Sequence, residues 1–144
     1  AETEQDSDYY RWMGFKQAME KPGGFCSRSR YIIIPGEKRL RLRKYRELLP
    51  RFLEAKALAF SSDYNAMEAI NFFLDEGIMV PDQISVTGYD DSVYASKLTT
   101  VHQDVPQKAH VALKRLLKLI QGETLDELNI KNPVYLVKRD SVRE

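Results

Sequence analysis

Side chains able to do chemistry gather at three places in this sequence. Ser61, Ser62 and Asp63 form one cluster, Asp90 and Asp91 a second, and Gln103 follows His102. Ionised carboxylates only accept hydrogen bonds, while hydroxyls and amides both accept and donate, so this set suits the hydroxyls of a polyol or sugar. Clustered carboxylates also attract hard cations, and Asp63 with Asp90 and Asp91 would in that case form the Mg²⁺ site of an enzyme. Other apparatus of catalysis is missing from the sequence: no glycine-rich phosphate cradle, no serine in a G-x-S-x-G elbow, no suitably placed Cys/His pair. The lone Cys26 cannot make an internal disulfide or a thiolate cluster, and His102 and His110 are too scattered for a histidine metal site. The expectation is a site that binds rather than transforms, with no metal and no cofactor.

Such residues need a frame, and apolar spacing supplies one. After Asp8, Trp12, Phe15 and Met19 recur at helical spacing until Lys21-Pro22-Gly23-Gly24. The run Tyr31-Ile32-Ile33-Ile34 before Pro35-Gly36 predicts a strand buried on both faces. Leu42, Tyr45, Leu48, Leu49 and Phe52 stripe a second helix among arginines and lysines. Ala57-Leu58-Ala59-Phe60 predicts a strand, and Ser61-Ser62-Asp63 offers capping oxygens to a helix carrying Ala66, Met67, Ile70, Phe73 and Leu74, stopped at Gly77. Ile84-Ser85-Val86-Thr87-Gly88-Tyr89 predicts a further strand that runs into Asp90-Asp91. After Leu98-Thr99-Thr100-Val101, a strongly amphipathic helix spans 105–120 and Val134-Tyr135-Leu136-Val137 a last strand. Alternation of this kind predicts an α/β fold, a parallel sheet flanked by helices in three layers. Ligands of such sheets collect beyond the carboxyl ends of the strands, where Ser62, Asp63, Asp90, Asp91 and Gln103 fall.

Composition bounds the rest. The chain has 144 residues, a net charge of +1, 43% hydrophobic and 30% charged residues, as expected of one soluble domain. Balanced charge argues against nucleic-acid binding by this segment itself, because that affinity comes from neutralising many phosphates. No apolar stretch approaches the roughly 18 residues that span a bilayer, and no charged-then-apolar leader opens the chain. The expected location is the cytoplasm, with no membrane partner.

Five stretches in order resemble the effector-binding domain of the LacI/GalR bacterial transcription regulators. Arg11-Trp12-Met13-Gly14-Phe15-Lys16-Gln17-Ala18-Met19 resembles the family's R-x-x-G-F-x-x-A-hydrophobic helix, and Ala59-Phe60-Ser61-Ser62-Asp63 with Ala66-Met67 its strand-(Asn/Ser)-Asp-x-x-A segment. GIMVPDQISVTGYDD, residues 77–91, reproduces its most specific element almost letter for letter. Leu98-Thr99-Thr100-Val101-His102-Gln103 is similar to its L-T-T-hydrophobic-x-Q crossover, and residues 133–141 to its closing P-x-x-L-x-x-R-x-S strand.

This resemblance, from about Tyr10 to Val142, implies a periplasmic-binding-protein-like domain of type I, mainly its C-terminal lobe. Residues 1–103 would form that lobe, 104–130 a crossover helix segment belonging to the N-terminal lobe of the full protein, and 131–144 a final strand returning to the C-terminal lobe. The resemblance further implies a homodimer that senses a sugar or phosphosugar without catalysis and reaches operator DNA only through a headpiece outside this chain. Arg11, Ser62, Asp63, Asp90 and Gln103 would be effector-binding, and the apolar face of the 105–120 helix would lack its partner. Alternatives stand beside these roles: Asp63 as a helix N-cap, Asp90-Asp91 as a turn pair, Arg11 as a surface residue paired with Asp8. The same fold would also serve an exported sugar receptor. Glu68 replaces a glycine common in the family, and the loop before the second helix is basic instead of aromatic. Lys38, Arg39 or Arg41 there would either meet an anionic effector or form a solvated face.

Overall fold

The chain begins with two helices, α1 (Ser7–Glu20) and α2 (Lys38–Ala55). The computed structural model describes residues 7–21, 31–125, 127 and 130–143, and the chain divides into two units, Ala1–Lys56 and Ala57–Glu144.

In the first unit, α1 buries none of its residues, so its apolar spacing makes a partly exposed aromatic stripe: Trp12 stacks on Phe15 at 6.0 Å and meets Tyr31 at 5.1 Å. Pro22, Gly23, Gly24 and Cys26 lie outside the described residues. The strand expected at 31–34 does not form a ladder, and Ile33 is 66% exposed. β-branched residues fit a pleated, half-buried surface, but a strand also needs a neighbour to pair with. At the start of α2 the Glu37 side chain makes no cap. Instead Arg41, 4% exposed, donates from Nη1 to the Pro35 and Gly36 carbonyl oxygens at 3.0 and 2.6 Å. Arg41 is therefore not part of a solvated face; its guanidinium ties down the loop that precedes its own helix. Tyr45, Leu48 and Phe52 form the buried stripe of α2, as their spacing predicts.

The second unit holds β1 (Ala57–Ala59), α3 (Asp63–Asp75), β2 (Ser85–Thr87), β3 (Thr100–Gln103), α4 (Val105–Ile120) and β4 (Val134–Val137). β1 and β2 pair in parallel, Ala57 with Ser85 through Ala59 with Thr87. The ladder continues as Phe60 N–H donates to the Thr87 carbonyl at 2.9 Å. Ala66, Ala69, Phe72 and Phe73 of α3, with Ile84, Val86, Ala95 and Leu98, form the core of this unit. Leu74, expected on the apolar face, is 62% exposed. Gly77 ends the helical segment at φ +75°, a conformation open to glycine at little cost.

Parallel bridges Thr87 to Thr99 and Asp90 to His102 set β3 beside the end of β2. β4 then pairs with β3 antiparallel, Thr100 with Val137 through Gln103 with Val134, so the expected sheet gains one strand of opposite direction. α4 buries no residue. It does not cover the sheet as the crossover helix of a βαβ unit does, and the parallel rule that rests on such a helix does not bind the strand that follows.

Candidate functional site

Three backbone approaches bring the predicted polar clusters of the second unit together beyond β2. Asp63 N–H donates to the Tyr89 carbonyl at 2.8 Å, Gly88 N–H to the Thr99 carbonyl at 3.0 Å, and Asp90 N–H to the Val101 carbonyl at 2.9 Å. Such close approach needs Gly88. A Cβ there would run into Asp63 Oδ1 and Leu98 Cδ2 and stand 3.2 Å from Asp63 Cα.

Ser62 and Asp63 share the start of α3 but divide the work. Ser62 is the N-cap, its Oγ accepting from Asn65 N–H at 3.3 Å. Asp63 has no exposed surface. Its Oδ1 accepts from the Thr100 hydroxyl at 2.5 Å and its Oδ2 from Ser92 N–H at 2.6 Å, fastening the loop that carries Asp90 and Asp91. The capping role considered for Asp63 thus belongs to its neighbour.

The acidic pair is split too. Asp90 and Asp91 both have left-handed backbone angles, φ 124° and 57°, and so their side chains leave the corner in different surroundings. Asp91 accepts from Arg139 Nη2 at 2.5 Å and contacts His102 Nδ1 at 2.8 Å. Hydrogen bonds from Arg139 first, and His102 second, hold the Asp91 carboxyl below its ordinary range. Arg139 also donates to the Leu98 carbonyl at 3.0 Å, and the His102 ring stacks on Tyr135 at 4.7 Å. Asp90 instead accepts from Gln103 Nε2 at 2.7 Å, and Gln103 Oε1 accepts from Lys108 Nζ. With Asp63 and Asp91 taken up by nitrogen and hydroxyl donors, the three carboxylates do not form the acidic Mg²⁺ site considered from sequence. Among the described residues no group of three His, Cys, Asp or Glu side chains is arranged to hold a metal ion.

Arg11 lies in the first unit, on α1, where it pairs with Asp8 at 3.5 Å. Ser62, Asp63, Asp90 and Gln103 are assembled in the second unit. Sequence reasoning missed the residues that hold them: Thr100, Lys108, Arg139 and Ser141. Ser141 Oγ accepts from Thr99 N–H at 2.8 Å and donates to the Val86 carbonyl at 2.6 Å, joining β2 to β3. The R-x-S spacing of Arg139 and Ser141 and the return of the tail to the lobe were expected from the resemblance, but not which groups 40 to 55 residues earlier these two side chains would bond.

Residues 1–142 match the family described as a periplasmic binding protein-like domain. The HTH-type transcriptional regulator RegA of Clostridium saccharobutylicum is 31% identical over 143 residues, 91% of this chain and 41% of RegA. The chain belongs to the LacI/GalR family. The lactose operon repressor of Escherichia coli strain K12 is 35% identical over 97 residues, 65% of this chain and 27% of that repressor. A solved complex of the transcriptional regulator CelR with cellobiose superposes with a TM-score of 0.80 at 25% identity, covering 91% of this chain and 41% of CelR. A LacI-type transcription regulator from Bifidobacterium animalis subsp. lactis shares the fold, with a TM-score of 0.81 at 22% identity over 97% of this chain and 53% of its own. The chain spans about two fifths of the length of RegA. Membership accounts for the five motifs in family order, and the fold is that of the family's effector domains. Among the described residues no helix is long and apolar enough to cross a membrane.

Proposed function

We propose that this chain is the effector-binding part of a LacI/GalR-type transcription regulator that senses a sugar or a related polyol in the cytoplasm and performs no catalysis. The observation that carries this reading is the division between the two neighbouring aspartates. Asp91 is held by Arg139 and His102, whereas Asp90, beyond the carboxyl end of β2 and beside β3, is half-exposed and oriented by the Gln103 amide. An oriented carboxylate on that rim is an acceptor for ligand hydroxyls, and the amide beside it adds a donor and an acceptor. Arg11 and Ser62 complete the proposed effector set, while Asp63 holds the loop on which Asp90 stands.

Residues 1–103 and 131–144 are assigned to the C-terminal lobe, and 104–130 to a crossover that packs on a second lobe outside this chain. The uncovered apolar residues of α4 support that division, with Leu113, Leu116 and Ile120 between 53% and 72% exposed. Effector binding would close the two lobes and shift the equilibrium of a homodimer whose DNA-binding headpieces also lie outside this chain. Calorimetric titration of the full-length regulator with a panel of neutral sugars, cellobiose included, tests the reading. At least one sugar is expected to bind, and Asp90→Asn to weaken it about tenfold or more, since a charge-assisted hydrogen bond is lost. Unchanged affinity in Asp90→Asn, or no binding by any sugar, overturns it.

A further inference from the structure

The relay Asp90–Gln103–Lys108 has a fixed polarity. A carboxylate can only accept and an ammonium can only donate, so the amide between them has one orientation, Nε2 toward Asp90 and Oε1 toward Lys108. Lys108 is half-buried in the first turn of α4, and among the described residues it makes no ion pair. Its ammonium gives one hydrogen bond to Gln103 and has two further N–H donors. Lys108 also lines, with Val111, Leu116 and Ile130, an open groove of about 380 Å³ along α4.

We infer that Lys108 is a specificity-determining residue of the effector site and that the effector is an acidic sugar derivative. Its hydroxyls would donate to Asp90 and its carboxylate or phosphate would accept from Lys108. The neutral amide between the two charges matters: it separates the ligand's anionic group from the Asp90 carboxylate, so attraction to Lys108 is not cancelled by repulsion from Asp90. Among the described residues the half-buried ammonium has no carboxylate partner, and an anionic ligand group would supply one. This inference rests on the effector reading above and adds the ligand's charge.

The test is titration of the full-length regulator with matched probes: glucose, glucuronate and glucose 6-phosphate, and galactose with galacturonate. The expected result is that one acid binds about tenfold or more tightly than its neutral parent, with the carboxylate and phosphate probes distinguishing which acid group is taken. Lys108→Met should lower the affinity for the acid about tenfold more than that for its neutral parent, and Lys108→Arg should keep the preference. If neutral sugars bind as tightly as their acids, or Lys108→Met weakens both alike, Lys108 only positions Gln103 and the inference fails with the effector reading intact. If none of the five probes nor any sugar of the wider panel binds, both fail together.

Discussion

The corner around Asp91 and the helix that follows it are neighbours in sequence, yet one is closed upon itself and the other is open. In the corner, Asp63 accepts from Thr100 and Ser92, Asp91 accepts from Arg139, and Ser141 links Thr99 to Val86, across separations of 29 to 55 residues. In α4 no residue is buried, and its leucines face outward. A polar network stabilises a fold only when every member is paired, and this one is paired within a single chain. An apolar stripe stabilises only when something covers it, and the described residues do not cover that of α4. The site's scaffold is therefore closed by its own side chains, whereas the helix keeps an apolar face that the described residues leave uncovered.

That contrast can be broken most severely at Asp63. Asp63→Ala leaves the Thr100 hydroxyl and Ser92 N–H without their acceptor in a buried place and is expected to cost about 3 to 4 kcal/mol, measured by urea unfolding. A loss below about 1 kcal/mol would show that the corner does not depend on its central carboxylate.

Asp91→Asn should cost about 2 to 3 kcal/mol at neutral pH by removing the charge that Arg139 and His102 share. The Asp91 carboxyl is held below its ordinary value of 3.8, so its contribution is fully present above that value and is lost as pH falls through the lower, folded one. The stability gap between the parent protein and Asp91→Asn should accordingly narrow on acidification below about pH 4, and a gap independent of pH down to 2 would remove the ion pair as its cause.

The smallest effect belongs to α4. Replacing Leu113 and Leu117 together by glutamine, at positions 58% and 49% exposed, should change the unfolding free energy of this chain by no more than about 0.5 kcal/mol. The same pair in the full-length regulator should destabilise by several times as much, because there the second lobe would cover them. Equal effects in both settings would sink the proposed crossover role.

Much of the frame was legible from the sequence because it rests on local rules. The period of Leu113, Leu116, Leu117 and Ile120 marked α4 at 105–120, and the cap at its start is Asp104, accepting from Gln107 N–H at 2.9 Å. Gly77 marked a helix end through its left-handed angle, and the β-rich runs at 57–60, 84–89 and 134–137 contain β1, β2 and β4. The run at 31–34 shows the limit of such rules: its composition fits a strand, but composition cannot supply a pairing partner. The polar clusters at 61–63, 90–91 and 103 were visible as a group because residues at the carboxyl ends of strands converge in this class of fold.

Sequence by itself determined the family, the places of α1 to α4 and of β1, β2 and β4, and the kinds of groups on offer, since those follow from periodicity, caps and motif letters. Only the tertiary structure decided which partners each aspartate holds. Asp90 and Asp91 are identical in type and adjacent in position, and they are distinguished by Gln103 and Lys108 on one side and by Arg139 and His102 on the other. Hydrogen bonds act over about 3 Å between atoms whose residues lie tens of positions apart, and that proximity exists only once the chain has folded.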